Sequence, residues 1–177
     1  MTGYRPRRRD AAPMIDRNAL RTAVQIAFVS LASYVCGVYF TSLFHSASAG
    51  TGGLWAVMSG NVVLQATRRK TWPSAWLQIL GTLVGAVVSA AYLSLLPFSV
   101  VGMAGAVFVT VIVCHVFRIP DHARLAALAV SVVMVVSSFH PTLHPVLNAA
   151  LRLAEACIGT AMAVLAVLVW PEPRGVF

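Results

Sequence analysis

Two long stretches of this chain contain no lysine, arginine, aspartate or glutamate, and a third contains almost none. Residues 22–67 and 71–117 have none, and residues 125–170 have only Arg152 and Glu155. Each window is about 46 residues long. An apolar helix needs roughly 20 residues to cross the hydrocarbon of a bilayer, so each window has room for two crossings and a turn. With 59% hydrophobic and 10% charged residues, the chain also has too few polar side chains to cover a soluble globule, which carries roughly 25% charged residues.

Turn signals fall near the middle of each window. The first window has Ser46-Ala47-Ser48-Ala49-Gly50-Thr51-Gly52-Gly53, the second has Pro97 with Gly102 shortly after, and the third has His140-Pro141-Thr142-Leu143-His144-Pro145. Glycine frees the backbone and proline removes a donor, so both interrupt helices. The expected fold is therefore all-α and polytopic, with six transmembrane helices arranged as three helical hairpins. The expected spans are 20–44, 53–67, 75–96, 100–117, 124–140 and 147–170. The second is short and polar, with Ser59, Gly60, Asn61 and Gln65, and has an alternative start near Gly50.

The cations set the expected orientation. Six of the thirteen Lys and Arg, namely Arg5, Arg7, Arg8, Arg9, Arg17 and Arg21, precede or open the first apolar run. Arg68-Arg69-Lys70, Arg118 with Arg124, and Arg174 lie between or beyond the windows, and the three mid-window turns have no Lys or Arg. Three two-pass windows put all these cations on one face, which the positive-inside rule assigns to the cytoplasm. The expected divisions are a basic cytoplasmic tail at 1–18, a membrane domain at 19–171 and a short cytoplasmic end at 172–177, in a bacterial inner membrane. The net charge of +8 is read as a lipid anchor and topology signal, with membrane lipids as partners and no nucleic acid. The apolar run from Thr22 to Phe44 exceeds the roughly 7–15 residues of a signal-peptide core, so it is read as a retained span.

Residues 77–97 can be laid on residues 151–171 without a gap, matching Leu77 with Leu151, Gly85 with Gly159 and Pro97 with Pro171. These segments would cross in opposite directions, the pattern expected of a 3+3 inverted repeat.

Few residues can carry chemistry. Arg152 and Glu155 are the only charges inside a span, spaced i, i+3 on one helix face. Intramembrane charges usually face the bundle interior, pair, and mark a path. The two form either a structural pair near the outer end of the sixth span, with Arg152 snorkelling outward, or an anion attractor with a proton-coupling partner. Asn61 and Gln65, spaced i, i+4, and Ser59 and Gln78 either line a solute path or make hydrogen bonds between packed helices. Gly81, Gly85, Ser89 and Gly159 are small residues suited to close helix packing. His140 and His144 have metal-like spacing, but the neighbouring prolines disturb it and no third ligand is evident; His45 does not change this. Cys36, Cys114 and Cys157 read as free apolar thiols. No phosphate loop, Cys-x-x-Cys pair or catalytic cluster is present, so neither an enzyme nor a cofactor or metal is expected.

Several of these elements together resemble a known family. Leu54-Trp55-Ala56-Val57, Val62-Val63-Leu64-Gln65-Ala66-Thr67-Arg68-Arg69 and Leu77-Gln78-Ile79-Leu80-Gly81-Thr82-Leu83-Val84-Gly85 are similar to the signature of the fusaric acid resistance (FUSC) and aromatic acid exporter superfamily. So are Ala19-Leu20-Arg21-Thr22-Ala23, Arg152-x-x-Glu155-x-x-x-Gly159 and Trp170-Pro171. The resemblance covers about residues 17–171. It implies a six-helix unit related to exporters of organic or aromatic acids and, distantly, to plant aluminium-activated malate channels. Larger relatives carry two such halves and a cytoplasmic helical domain. Where the family often has Arg before Ile-Leu-Gly-Thr, this chain has Gln78. The function expected is a transporter or channel subunit, working as a homodimer, that exports small organic anions. Arg152, Gln78 and Asn61 would attract the anion, and Arg68, Arg69 and Lys70 would form a basic cytoplasmic mouth. The rival expectation is a non-transporting scaffold or partner subunit.

Overall fold

The computed structural model describes residues 17–65 and 67–170. Most of the basic tail, Ala66 and residues 171–177, with Pro171 and Arg174, lie outside the described residues.

The described residues form six α-helices and two single turns of 3₁₀ helix, with no strand. The α-helices are α1 (Arg17–Ser42), α2 (Ala49–Val63), α3 (Arg68–Leu95), α4 (Val100–Val116), α5 (Ala123–Phe139) and α6 (Pro145–Val169). In hydrocarbon a helix satisfies its own backbone, so an apolar run bounded by polar turns becomes one. Four segments are long and apolar enough to cross a membrane: Ala19–Ser42, Arg68–Leu95, Pro120–Phe139 and Pro145–Val169. Helix α4 is apolar but has 17 residues, and α2 has 15.

Local chemistry explains the ends. The Ser99 side chain accepts from the Gly102 N–H at 3.0 Å and caps α4. Arg118 adopts φ 58°, the left-handed conformation that stops a helix, and Ile119 N–H reaches back to the Cys114 carbonyl at 2.8 Å. Pro145 opens α6, where a missing N–H costs nothing.

Two boundaries differ from expectation. Helix α2 occupies Ala49–Val63 rather than 53–67, because Gly50 to Gly53 are helical. Gly52 and Gly53 are there for contact, not for turning. A methyl on Gly53 would meet Val38 at 2.6 Å and the Tyr34 ring at 2.9 Å, and at Gly37 opposite it would meet Ala56 at 2.9 Å. Helices α1 and α2 thus approach backbone to backbone. Helix α3 begins at Arg68, not at 75, so the basic triplet forms its first turn and Pro73 lies inside it.

Helix α6 packs against α1, α2 and α3, and α3 packs against α5 and α6. Helix α1 flanks α2 and α6, while α4 flanks α5 and α3. Gly85 and Gly159 make matched contacts. A methyl on Gly85 would strike the carbonyl of Ala126 and approach Val130 N on α5 at 3.1 Å; on Gly159 it would strike the carbonyl of Ala56 and approach Gly60 N on α2 at 2.9 Å.

The interior combines alanines and valines with buried polar side chains, and the exterior is apolar. The largest fully buried side chain is Arg152, and Glu155, Asn148, Thr41, Thr82 and Thr110 are buried with it. Leu31, Phe108, Val116 and Leu95 point outward. Such an arrangement fits a lipid surround, where large apolar side chains are solvated outside the bundle. The chain is a multi-pass membrane protein.

Candidate functional site

Arg152 lies about 10 Å along α6 from its first residue, at 1.5 Å per residue. Its Nη2 is 2.8 Å from Glu155 Oε1, and neither side chain has any accessible surface. Arg152 therefore does not snorkel to an interface. The i, i+3 spacing brings the two onto one turn. Burial makes this pair demanding, since each ion forfeits several kcal/mol of hydration that only good geometry can offset.

Two neighbours complete the site. The hydroxyl of Thr41, in the last turn of α1, donates to Glu155 Oε1 at 2.5 Å. Gly52, in the first turn of α2, faces this contact: a methyl there would collide with both Thr41 Oγ1 and Glu155 Oε1. The Trp55 indole N–H donates to the Arg152 carbonyl at 2.9 Å and ties α2 to α6 beside the pair. Thr41, Gly52 and Trp55 are absent from the residues singled out in the sequence as chemical. A threonine in an apolar helix has no distinguishing pattern, and its partner lies 114 positions away.

The guanidinium is only partly satisfied. Arg152 Nε and Nη1 and Glu155 Oε2 are buried without hydrogen-bond partners among the described residues. A buried donor left unpaired costs about 1–3 kcal/mol. The Nε and Nη1 groups can therefore offer further N–H donors to a second carboxylate.

Ser59 and Gln78 form a second buried pair. Gln78 Nε2 donates to Ser59 Oγ at 2.9 Å, joining α3 to α2, and Thr82 lies one turn on at 3.5 Å. Gln78 Oε1 is buried without a partner among the described residues.

Asn61 and Gln65 lie elsewhere. Asn61 is exposed and exchanges hydrogen bonds with Ser30 of α1 at 3.1 and 3.3 Å. Gln65 follows the end of α2, and its backbone N–H donates to Thr71 at 3.2 Å. The i, i+4 relation that would have set both on one helix face is lost at Val63.

Among the small residues, Gly81 approaches Leu125 of α5, where a methyl would stand at 2.7 Å. Ser89 returns its hydroxyl to the Gly85 carbonyl at 2.7 Å. Of the basic triplet, Arg68 donates through Nε and Nη2 to the Val167 and Leu168 carbonyls at 3.2 and 2.6 Å, and so caps the C-terminus of α6. Arg69 and Lys70 are exposed. At the opposite end, the His45 and His140 rings meet edge-on at 5.5 Å between centroids.

A family model described as fusaric acid resistance protein-like matches residues 35–166, well over half of the chain. The chain belongs to the fusaric acid resistance protein-like family. The matched span includes Thr41, Gly52, Trp55, Ser59, Gln78, Arg152 and Glu155. Membership in this FUSC family gives the chain a membrane transporter-related role. No curated protein and no solved structure matches it.

Proposed function

We propose that this FUSC-family chain is the membrane unit of a transporter or channel that moves small organic or aromatic acid anions out of the cytoplasm, and that Arg152 receives the anion's carboxylate. One observation carries the reading: a fully buried guanidinium holds a carboxylate on Nη2 while Nε and Nη1 are unpartnered among the described residues. Glu155 is the same functional group as the proposed cargo. An entering carboxylate displaces Glu155 from Arg152, and Glu155, still held by Thr41, then takes up a proton. Buried charge is conserved through the exchange, which gives proton coupling a physical route. Ser59 and Gln78 extend the polar surface within the bundle.

In this reading all six helices cross the bilayer. Arg68, Arg69 and Lys70 open α3, Arg118 lies between α4 and α5, and Arg124 opens α5, whereas the α1–α2, α3–α4 and α5–α6 connections carry no Lys or Arg. That asymmetry favours an inner-membrane protein with both termini in the cytoplasm. The matched contacts of Gly85 and Gly159 support an inverted repeat, with α1–α3 related to α4–α6. We further propose a homodimer, since one ion pair in six helices is a thin basis for a closed path.

The full burial of the pair favours a second reading, a non-transporting scaffold in which Arg152 and Glu155 only join helices. Flux of benzoate and malate from proteoliposomes separates the two. Arg152→Gln should abolish flux. Because removing one ion of a buried pair destabilises by about 3–5 kcal/mol, the neutral double variant Arg152→Gln/Glu155→Gln should also be tested. If Arg152 receives the anion, the double variant folds and carries none; undiminished flux in it would remove Arg152 from the path, and no flux through the wild type would leave the scaffold.

A further inference from the structure

Away from the ion pair, α3 and α6 leave a furrow between them. Its larger part, with a volume of about 370 Å³, is lined by Trp72, Trp76 and Ile79 of α3 and by Cys157, Ala161, Val164 and Leu165 of α6, among others. A smaller cavity lined by Arg68, Trp72, Val164 and Leu168 continues it to the end of the bundle. The two share Trp72 and Val164, so the furrow runs unbroken from the basic first turn of α3 to the level of Ile79. That is about 15 Å at 1.5 Å per residue. Arg69, Trp72, Trp76 and Ile79 follow one another at i, i+3, i+7 and i+10, one face of the helix.

We propose that this furrow is a binding site for an anionic phospholipid, with one acyl chain along the α3–α6 cleft and the phosphate at Arg69 and Lys70. The charge pattern selects this occupant. The walls are almost wholly apolar, and three exposed cations stand at one end: Arg68, which lines the smaller cavity and donates to the α6 carbonyls, and Arg69 and Lys70 beside it. A ligand with a long apolar chain and an anionic head fits that arrangement. Trp72 and Trp76, each more than half exposed, sit where indole rings favour the headgroup boundary. The placement rests on the topology proposed above, which puts the start of α3 on the leaflet that holds anionic lipid.

Cys157 lines the furrow and reports on it directly. The full chain in detergent, where orientation has no influence, is titrated with phosphatidylglycerol or phosphatidylcholine and treated with an apolar maleimide. Labelling is read at each cysteine by mass spectrometry. Phosphatidylglycerol should slow modification of Cys157 and leave Cys36 on α1 unchanged, and phosphatidylcholine should do so far less. In Arg69→Gln/Lys70→Gln, half-protection should need about thirtyfold more phosphatidylglycerol, the loss expected when two cations no longer face an anionic head. Ala161→Trp, which fills the cleft and keeps both cations, should remove the lipid effect. Equal protection by both lipids, or none by either, would overturn the site. Protection that grows with protein concentration alone would assign the furrow to a second copy of the chain and equally overturn it. A topology contrary to the one proposed, found by labelling in cells, would leave this result intact and change only the leaflet.

Discussion

Thr41 at the end of α1 and Glu155 on α6 meet at 2.5 Å across 114 positions, and Gly52 on α2 is the residue that lets them do so. Three helices thereby converge on one carboxylate oxygen. The contact belongs to the end of the bundle where the first and third windows turn.

Gly52→Ala should separate Thr41 from Glu155. Forcing a methyl into a packed site costs typically 1–3 kcal/mol. Thermal unfolding of the purified protein should show a lowered midpoint. Thr41→Ala should also lower it, by the cost of stripping a buried acceptor. The double variant should lose less than the sum, because both changes break the same contact.

Glycines elsewhere should divide by what faces them. Gly159→Ala and Gly85→Ala should each lower the midpoint, since a methyl would strike a backbone carbonyl of α2 or α5. At Gly105 on α4 a methyl would meet nothing within 4 Å. There alanine should raise stability by about 0.5–1 kcal/mol, the usual gain for replacing glycine within a helix. Equal effects at Gly105 and Gly159 would contradict the packing described.

Asn61 and Gln78 should behave differently in flux assays. Asn61→Ala removes an exposed hydrogen bond to Ser30 and should leave anion flux within about twofold of the parent. Gln78→Leu strips Ser59 of its buried partner and places an apolar group beside the proposed path. It should reduce flux by about tenfold, the equivalent of about 1.4 kcal/mol for one lost hydrogen bond to the passing anion.

The charge-free windows made the six-helix pattern legible, because Lys and Arg are costly in hydrocarbon and collect outside it. The Arg152–Glu155 pair was legible too, since i, i+3 spacing brings two charges together on any helix. The glycines misled at Gly50 to Gly53: a sequence does not distinguish a glycine that bends the chain from one that admits a neighbouring helix. Asn61 and Gln65 misled because their spacing has meaning only if the helix continues past Val63. Thr41, Gly52 and Trp55 gave no signal, as their roles arise only when α1 and α2 dock on α6.

Orientation has its own test. Single cysteines introduced at Thr142 and at Ile119 should differ in access to a membrane-impermeant maleimide in intact cells, with Thr142 labelled and Ile119 protected. Labelling at both positions would break the three-hairpin arrangement.

The central claim is that Arg152 binds a carboxylate, and ligand-dependent thermal stabilisation measures it most directly. A ligand at concentration L that binds only the native state stabilises it by RT ln(1 + L/Kd), so the unfolding midpoint rises with ligand concentration. Across a series of aromatic and dicarboxylic acids, the wild-type midpoint should rise with ligand concentration. It should rise further in Glu155→Gln, where no internal carboxylate competes for Arg152, and should not move in Arg152→Gln/Glu155→Gln. Equal stabilisation of that double variant and the wild type would show that the anion binds elsewhere and would remove Arg152 from the account.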